Sequence, residues 1–341
     1  MGSDLAAFAA AMPKTELHVH LVGAASVDTV LELARRHPHV GVPTERDALE
    51  AYYEFTDFAH FIEVYISVNA LVRAPEDVEA LVVGAARDMA AQQIRYAELT
   101  VTPDSHLLMG IAPDAVAEAL TAGRRRARAE HDVELAWVFD IPGELGLESG
   151  ERTIDWVEAH APEGSVGFGL GGPEVGVPRP QFEQVFARAR ALGLHSVPHA
   201  GETTGPDTIR DALDVLGAER IGHGIAAADD PDLLARLAGE GITLEVCPTS
   251  NLRTRAVDVL EGHPLPKLLD AGVPVTLGSD DPGMFDTTLV GEYLVAAEVL
   301  GLDRDALVAI ARTGITASFA DTATRRRLTE ALDRFVADEV T

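Results

Sequence analysis

Cysteine is almost absent from this chain of 341 residues, because Cys247 is the only one. A single thiol cannot form an intramolecular disulfide, and it excludes any zinc site that is built from several cysteines. A metal site in this protein must therefore use histidine and carboxylate ligands.

Basic residues are also scarce. Lysine and arginine number 27 against 55 aspartates and glutamates, which gives a formal net charge of −28 at pH 7. Such a surface repels phosphate backbones and anionic lipid headgroups, so we expect no nucleic-acid partner and no membrane partner. A small nucleoside-like ligand is compatible with this charge.

Long apolar runs are missing as well. No run approaches the ~18 consecutive apolar residues of a membrane-spanning helix. Residues 1–12 lack the basic start and the long apolar core of a signal peptide. We therefore expect a cytoplasmic protein, while the sequence does not indicate its oligomeric state.

What the chain does contain is a repeated strand and helix pattern. Strand-like runs occur at residues 16–20, 94–101, 134–141, 166–171, 194–199, 220–223, 242–247 and 273–278. The pattern predicts an α/β fold, a (β/α)8 TIM barrel, as a single domain over residues 1–341. The stretch between the first two runs stays helical and predicts an insertion that can cover the site, and residues 288–340 predict extra C-terminal helices.

Side chains that bind metals stand at the ends of several predicted strands. His18 and His20 share one face of the first strand, since side chains alternate with a period of two. The other strand ends carry His199, His223, and Asp280 with Asp281. Parallel strands of a barrel end at one mouth, so these residues should meet there. Three imidazoles and a carboxylate suit zinc, or less selectively iron or manganese, with a position left for water.

Two further residues have the properties of acid-base catalysts. Glu202 lies three residues beyond His199, where it can stand beside the metal and give a proton to a substrate. His223 is flanked by Gly222 and Gly224, so its ring can approach the bound water as a base or as an electrostatic orienter.

Five ordered motifs resemble the adenosine deaminase family of metal-dependent amidohydrolases. They are Glu16-Leu17-His18-Val19-His20-Leu21, His199-Ala200-Gly201-Glu202, Ile221-Gly222-His223-Gly224, Cys247-Pro248-Thr249-Ser250-Asn251 and Ser279-Asp280-Asp281-Pro282. The resemblance covers residues 13 to about 300 and implies a hydrolase that removes the 6-amino group of a purine nucleoside.

The resemblance also implies roles for individual residues. One zinc ion per chain would be held by His18, His20, His199 and Asp280. Glu202 would donate a proton to the ring nitrogen beside the attacked carbon, and His223 would activate the water. Asp281 would contact the water and the substrate base, the Gly172 N–H would meet the purine, and His20 would also border the substrate.

One position departs from the family pattern. Typical adenosine deaminases carry an aspartate two residues after the second histidine, and it accepts a hydrogen bond from the ribose end. This chain has Val22, which cannot accept one, so free adenosine is expected to be a poor substrate.

Residues 22–24 and 169–174 resemble instead the branch of the family that acts on 6-amino-6-deoxyfutalosine in menaquinone biosynthesis. In that substrate the ribose 5′ position bears a ketone-linked benzoate in place of a hydroxyl, and apolar Val22 suits such a group. The alternative is an adenosine or deoxyadenosine deaminase of purine salvage.

Two other classes of protein share parts of this pattern. Metal-dependent phosphoesterases also begin with His-x-His, but they usually need several metals and basic phosphate contacts, which the strand-end motifs lack. A catalytically silent ligand-binding relative would not need a complete acid-base set, and Glu202, His223, Asp280 and Asp281 argue against it.

Overall fold

The computed structural model describes residues 2–56 and 58–339. Eight parallel strands follow one another around a sheet in the order β1 to β8. They are β1 (Lys14–His20), β2 (Ile94–Val101), β3 (Glu134–Pro142), β4 (Ser165–Gly171), β5 (His195–Ala200), β6 (Arg220–His223), β7 (Thr243–Val246) and β8 (Val275–Leu277). The predicted (β/α)8 barrel is confirmed, and each strand begins and ends within two residues of its predicted bounds.

The barrel closes between β1 and the segment that follows β8. The backbone N–H of His20 donates to the carbonyl of Asp280 at 2.9 Å, and the N–H of Asp280 donates to the carbonyl of His18 at 3.1 Å. Closure therefore places three of the predicted site residues side by side.

Helices fill the connections and both termini. They are α1 (Gly2–Ala11), α2 (Val27–Arg36), α3 (Arg46–Tyr52), α4 (Phe58–Asn69), α5 (Pro75–Ala91), α6 (Pro103–Leu108), α7 (Pro113–His131), α8 (Gly146–His160), α9 (Glu183–Ala191), α10 (Pro206–Asp214), α11 (Pro231–Glu240), α12 (Pro248–Arg253), α13 (Leu265–Asp270), α14 (Pro282–Phe285), α15 (Leu289–Leu294), α16 (Arg304–Ala317) and α17 (Thr322–Glu339). Seven of them begin with proline, whose fixed φ and missing N–H suit the first turn of a helix. Helices α2 to α5 form the predicted insertion, and α15 to α17 are the predicted C-terminal helices.

The terminal helices cover the closure of the barrel. A Cβ at Gly314 in α16 would lie only 2.5 Å from the hydroxyl of Thr15 in β1, so glycine permits this close packing. Helix α1, which the sequence analysis did not predict, packs against α17 through Phe8 and Phe335, whose ring centres are 5.2 Å apart. Among the described residues, no helix combines the length and the apolar character needed to cross a membrane.

Candidate active site

The predicted metal-binding side chains lie together at the C-terminal mouth of the barrel. The ring centre of His18 lies 4.7 Å from that of His199 and 4.8 Å from that of His223. The ring centres of His20 and His199 are 5.3 Å apart. Asp280 completes the group, because its Oδ1 lies 2.8 Å from Nδ1 of His20. The fold thus brings together side chains from β1, β5, β6 and the segment after β8.

Two of these residues adopt an unusual backbone conformation. His223 and Asp280 have φ angles of 61° and 63°, in the left-handed region that residues other than glycine rarely occupy. Neighbouring glycines make room for the site: a Cβ at Gly222 would lie 2.8 Å from His18 Cε1, and one at Gly278 would lie 2.7 Å from His18 Cβ. Backbone strain of this kind tends to persist where function requires a particular geometry.

Four buried side chains offer ligand atoms that lie within 4.8 Å of one another: His18, His199, His223 and Asp280. A second group shares the same aspartate and consists of His20, Asp280 and Asp281. The four ligands predicted from the sequence are thus divided between two overlapping groups, and His223 stands among the atoms of the first.

The hydrogen bonds of two histidines suit a metal ion. Nδ1 of His18 lies 2.9 Å from a carboxylate oxygen of Glu245, and Nδ1 of His199 lies 2.9 Å from the carbonyl of Leu170. Metal-binding histidines usually donate one ring N–H to such an acceptor and present the other nitrogen to the metal. Nε2 of His18 is buried, and no described group hydrogen-bonds to it. The buried cluster can therefore hold a divalent metal ion.

Helix α12 and the residue after it form hydrogen bonds with three site residues. The contacts are Ser250 with Asp280 at 2.6 Å, Asn251 with His223 at 3.1 Å, and Thr254 with Glu202 at 2.7 Å. Residues 247–251 belong to one of the five sequence motifs, but the sequence predicted no role for them. The available signal was a run of polar residues directly after an apolar strand, at the mouth of the predicted barrel.

A second carboxylate holds the loop that carries Glu202. Oε2 of Glu174 accepts hydrogen bonds from the backbone N–H groups of Glu202, Thr203 and Thr204 at 3.0, 2.7 and 3.0 Å. Glu174 is buried, so these bonds are protected from water. The loop after β5 is therefore fixed, and with it the position of the Glu202 side chain.

The electrostatics suit Glu202 as an acid. Burial, followed by the charge of Asp280, raises the pKa of Glu202 to about 8. Burial lowers the pKa of His223 to about 3, so this ring is neutral at physiological pH. Nε2 of His223 lies 3.7 Å from Oε2 of Glu202. The pair can therefore present a protonated carboxyl and a neutral imidazole to one ligand.

A cavity of roughly 870 Å³ of empty space opens above these residues. Its floor includes His20, His199, Glu202, His223, Asp280 and Asp281, and its wall includes Thr102, Ser105, Asp140, Glu144 and Gly172. Helix α4 covers it with Phe61, Ile62, Tyr65, Ile66 and Asn69. Among the described residues that line this cavity there is no lysine or arginine. An apolar cover over a polar floor suits a flat ring with polar edges.

Val22 does not line the main cavity. It is buried and lines a much smaller adjoining space, which it shares with Tyr65, Thr102 and Ser105. These three residues also line the main cavity, so Val22 lies one layer behind its wall. The sequence predicted this side chain at the border of the site, without the intervening layer.

Asp140 at the end of β3 is a cavity residue that was not predicted from the sequence. It is buried, lines the cavity and accepts a hydrogen bond from the hydroxyl of Thr102 at 2.6 Å. Burial raises the pKa of its carboxyl. The signal was an aspartate inside an otherwise apolar run, next to the predicted end of the strand.

Comparisons with known proteins agree with this geometry. The sequence profile of the Adenosine deaminase family matches residues 13–335. The aminodeoxyfutalosine deaminase of Streptomyces coelicolor is 56% identical over 336 residues, which cover 98% of this chain and 87% of that protein.

Solved structures show the same architecture. The adenine deaminase of Arthrobacter aurescens superposes with a TM-score of 0.91 at 32% identity, covering 96% of this chain and all of that one. An amidohydrolase from Burkholderia ambifaria, solved with bound zinc, superposes with a TM-score of 0.89 at 26% identity, covering 98% of this chain and 94% of that one.

Proposed function

Because the chain belongs to the adenosine deaminase family, we propose that it hydrolytically removes the 6-amino group of an adenosine-type nucleoside, with 6-amino-6-deoxyfutalosine of menaquinone biosynthesis as its favoured substrate. The observation that carries this proposal is the buried carboxyl of Glu202, with its pKa raised to about 8, beside a cluster of histidines and aspartates on the floor of a cavity at the mouth of the barrel. The relative from Streptomyces coelicolor supports the choice of substrate.

We propose one zinc ion per chain, held by His18, His20, His199 and Asp280. The unpartnered Nε2 of His18 and the outward hydrogen bonds of His18 and His199 fit such an ion. When bound, a divalent ion acts as a Lewis acid and makes hydroxide available near neutral pH. The relative solved with bound zinc supports this choice of metal.

The protein side chains then carry the proton transfers. Water adds to the substrate carbon that bears the amino group, and protonated Glu202 gives its proton to the adjacent ring nitrogen. One proton of the water, taken up by a basic group of the site, passes to the amino group, which leaves as ammonia when the carbon–nitrogen bond breaks. The hydroxyl proton returns to Glu202, and the ring keeps the oxygen as a carbonyl. His223 activates or orients the attacking water, since its Nε2 lies 3.7 Å from both Glu202 and Asp280.

Gly172 and Asp281 are proposed to hold the purine base. Gly172 lines the cavity with a φ of +77°, in the left-handed region that favours glycine. Oδ1 of Asp281 is buried, and no described group hydrogen-bonds to it. Burial, followed by the neighbouring charge of Asp280, raises the pKa of Asp281.

Asp140 is proposed to bind the sugar hydroxyls. Its carboxylate accepts from Thr102 and lies at the end of β3, next to the strand that precedes Gly172. No lysine or arginine is among the described residues that line this cavity, so hydroxyl groups of the substrate are suitable partners for the carboxylate. A substrate with a substituted 5′ position still has its 2′ and 3′ hydroxyls to offer.

The test compares kcat/KM for adenosine and for 6-amino-6-deoxyfutalosine on zinc-loaded enzyme, for the wild type and for Val22→Asp. We expect the wild type to prefer the extended substrate. Val22→Asp adds a charged acceptor behind Thr102 and should shift the ratio toward adenosine, while disfavouring a tail that ends in a carboxylate. Val22→Asn, which is polar but uncharged, separates the effect of charge from that of polarity.

Adenosine or deoxyadenosine is the alternative substrate. If the wild type turns over adenosine faster than 6-amino-6-deoxyfutalosine, the alternative replaces the favoured substrate. If Val22→Asp leaves the ratio unchanged, Val22 does not set the specificity. If no 6-aminopurine nucleoside releases ammonia, deamination itself is wrong.

A further inference from the structure

A chain of buried hydrogen bonds leads from a backbone amide to the ring of His223. It begins at the N–H of Leu265, which donates to Nδ1 of His263 at 3.1 Å. A backbone N–H can only donate, so Nδ1 of His263 must be the acceptor. Burial lowers the pKa of His263 to about 4, and the neutral ring therefore carries its proton on Nε2.

The proton on His263 determines the orientation of the next residue. Nε2 of His263 lies 3.1 Å from Oδ1 of Asn251 and donates to it. The amide oxygen of Asn251 is thereby turned toward His263, and its NH2 group faces Nδ1 of His223 at 3.1 Å. Because Asn251 donates here, Nδ1 of His223 must accept, and the neutral ring carries its proton on Nε2.

Water cannot readily disturb this arrangement. The exposed fractions of His263, Asn251 and His223 are 4%, 0% and 1%. Reversing any one of the bonds would place two donors or two acceptors face to face in a buried site, which costs free energy. The backbone N–H of Leu265, which can only donate, thus sets the direction of every hydrogen bond in this series.

We propose that Asn251 and His263 are positioning residues, which hold His223 with its proton on Nε2 so that His223 donates a hydrogen bond to the attacking oxygen. This inference rests on the proposed deamination and decides between the two roles considered for His223. An Nε2 that already bears hydrogen can neither remove a proton nor bind a metal ion. His223 therefore stands near the ligand atoms without being a ligand, and Asp280 remains available to accept the proton of the water.

The first test reads the tautomer directly. Zinc-loaded enzyme with ¹⁵N-labelled histidine is compared with the variant His223→Gln, and the signal that the variant lacks belongs to His223. The ¹⁵N chemical shifts of that signal show whether the hydrogen is on Nε2 or on Nδ1. We expect the Nε2–H form in the wild type between pH 6 and 8. The Nδ1–H form in the wild type would overturn the proposal, whether or not the enzyme deaminates any nucleoside.

The second test reverses or breaks this series of hydrogen bonds with variants of matched size. Asn251→Asp replaces the donor by an acceptor, so Nδ1 of His223 should gain a proton, and kcat should fall ~100-fold as for a lost acid-base group. His263→Gln keeps an N–H that can donate to Asn251 and should stay within a few-fold of the wild type. His263→Leu cannot donate and should lose activity and show an altered pH profile of kcat.

Adenosine and 6-amino-6-deoxyfutalosine serve as the probes, and zinc content is measured for every variant. Unchanged kcat and pH profile in both Asn251→Asp and His263→Leu would overturn the proposal. Loss of zinc in Asn251→Asp would overturn it as well, because it would make His223 a ligand. If the wild type releases ammonia from neither probe, the proposed function fails, and the tautomer measurement still decides the positioning role.

Discussion

At the scale of single residues, the neutral carboxyl of Glu202 is the feature on which the proposed chemistry depends. Glu202→Gln keeps the shape of the side chain and removes the transferable proton, so kcat should fall ~10²–10⁴-fold while zinc content stays unchanged. Steady-state kinetics together with metal analysis measure both quantities. A variant within a few-fold of the wild type would mean that Glu202 has only a structural role.

The proposed hydrogen bond between Asp140 and a sugar hydroxyl can be tested by substitution. Hydrogen bonds to a charged group contribute ~1.5–3 kcal/mol, so Asp140→Asn should lower kcat/KM for adenosine ~10-fold or more. The same variant should have a much smaller effect on 2′- or 3′-deoxyadenosine, whichever lacks the bound hydroxyl.

Glu144→Gln is the matched control for Asp140, because Glu144 is another carboxylate that lines the same cavity. It should leave the discrimination between adenosine and its deoxy analogues near the wild-type value. Equal effects of Asp140→Asn on all three nucleosides would show that Asp140 does not bind the sugar.

At the scale of elements, the short helix α12 and the residue after it contact the groups proposed to carry out the chemistry. Thr254, just beyond the end of α12, donates to Oε1 of Glu202 at 2.7 Å. This hydrogen bond lowers the pKa of Glu202 and burial raises it, and the resulting pKa is about 8. Protonated Glu202 is the proposed proton donor, so kcat/KM should decrease as pH rises through the pKa of Glu202.

Thr254→Val removes the donor and keeps the size of the side chain. The ionised form of Glu202 loses a hydrogen bond, its pKa rises further, and the basic limb of the kcat/KM profile should move to higher pH by less than about one unit. The profiles of wild type and variant, recorded on zinc-loaded enzyme, show the direction. A limb that moves to lower pH would contradict the assignment of Glu202 as the acid.

At the scale of the whole molecule, a buried ion network joins distant parts of the barrel beneath the site. Arg220 of β6 pairs with Glu98 of β2 and, at 2.6 Å, with Glu245 of β7. It also donates to the carbonyl of Ala317 at the end of α16, at 2.8 Å. Glu245 in turn holds His18, so stability and the geometry of the site depend on the same arginine.

Arg220→Met should lower the free energy of unfolding by ~3–5 kcal/mol, because two buried carboxylates lose their cation. Urea denaturation measures the change. Arg312→Met is the control, since its pair with Asp333 is exposed, and pairs of that kind contribute only ~0–1 kcal/mol. A loss below ~1 kcal/mol for Arg220→Met would show that the network does not stabilise the barrel.

Much of the fold and of the candidate site could be predicted from the sequence, because the patterns that indicate strands, helices and strand ends are local. Alternating apolar runs and the glycines and prolines between them predict eight strands and their helices, and the order of the strands around a barrel follows from chain order. Since parallel strands end at one mouth, the strand-end residues His18, His199, His223 and Asp280 could be expected to meet before any contact was known.

The tertiary structure alone decided which residues support those groups and how far each lies from the cavity. Asn251, His263 and Glu245 act through hydrogen bonds to residues 12 to 227 positions away, and no local pattern encodes such partners. Val22 follows β1 in sequence yet packs behind the cavity wall, because its distance from the cavity depends on helices from other parts of the chain. The direction of the His223 hydrogen bonds required a fixed backbone donor that only the folded chain brings within reach.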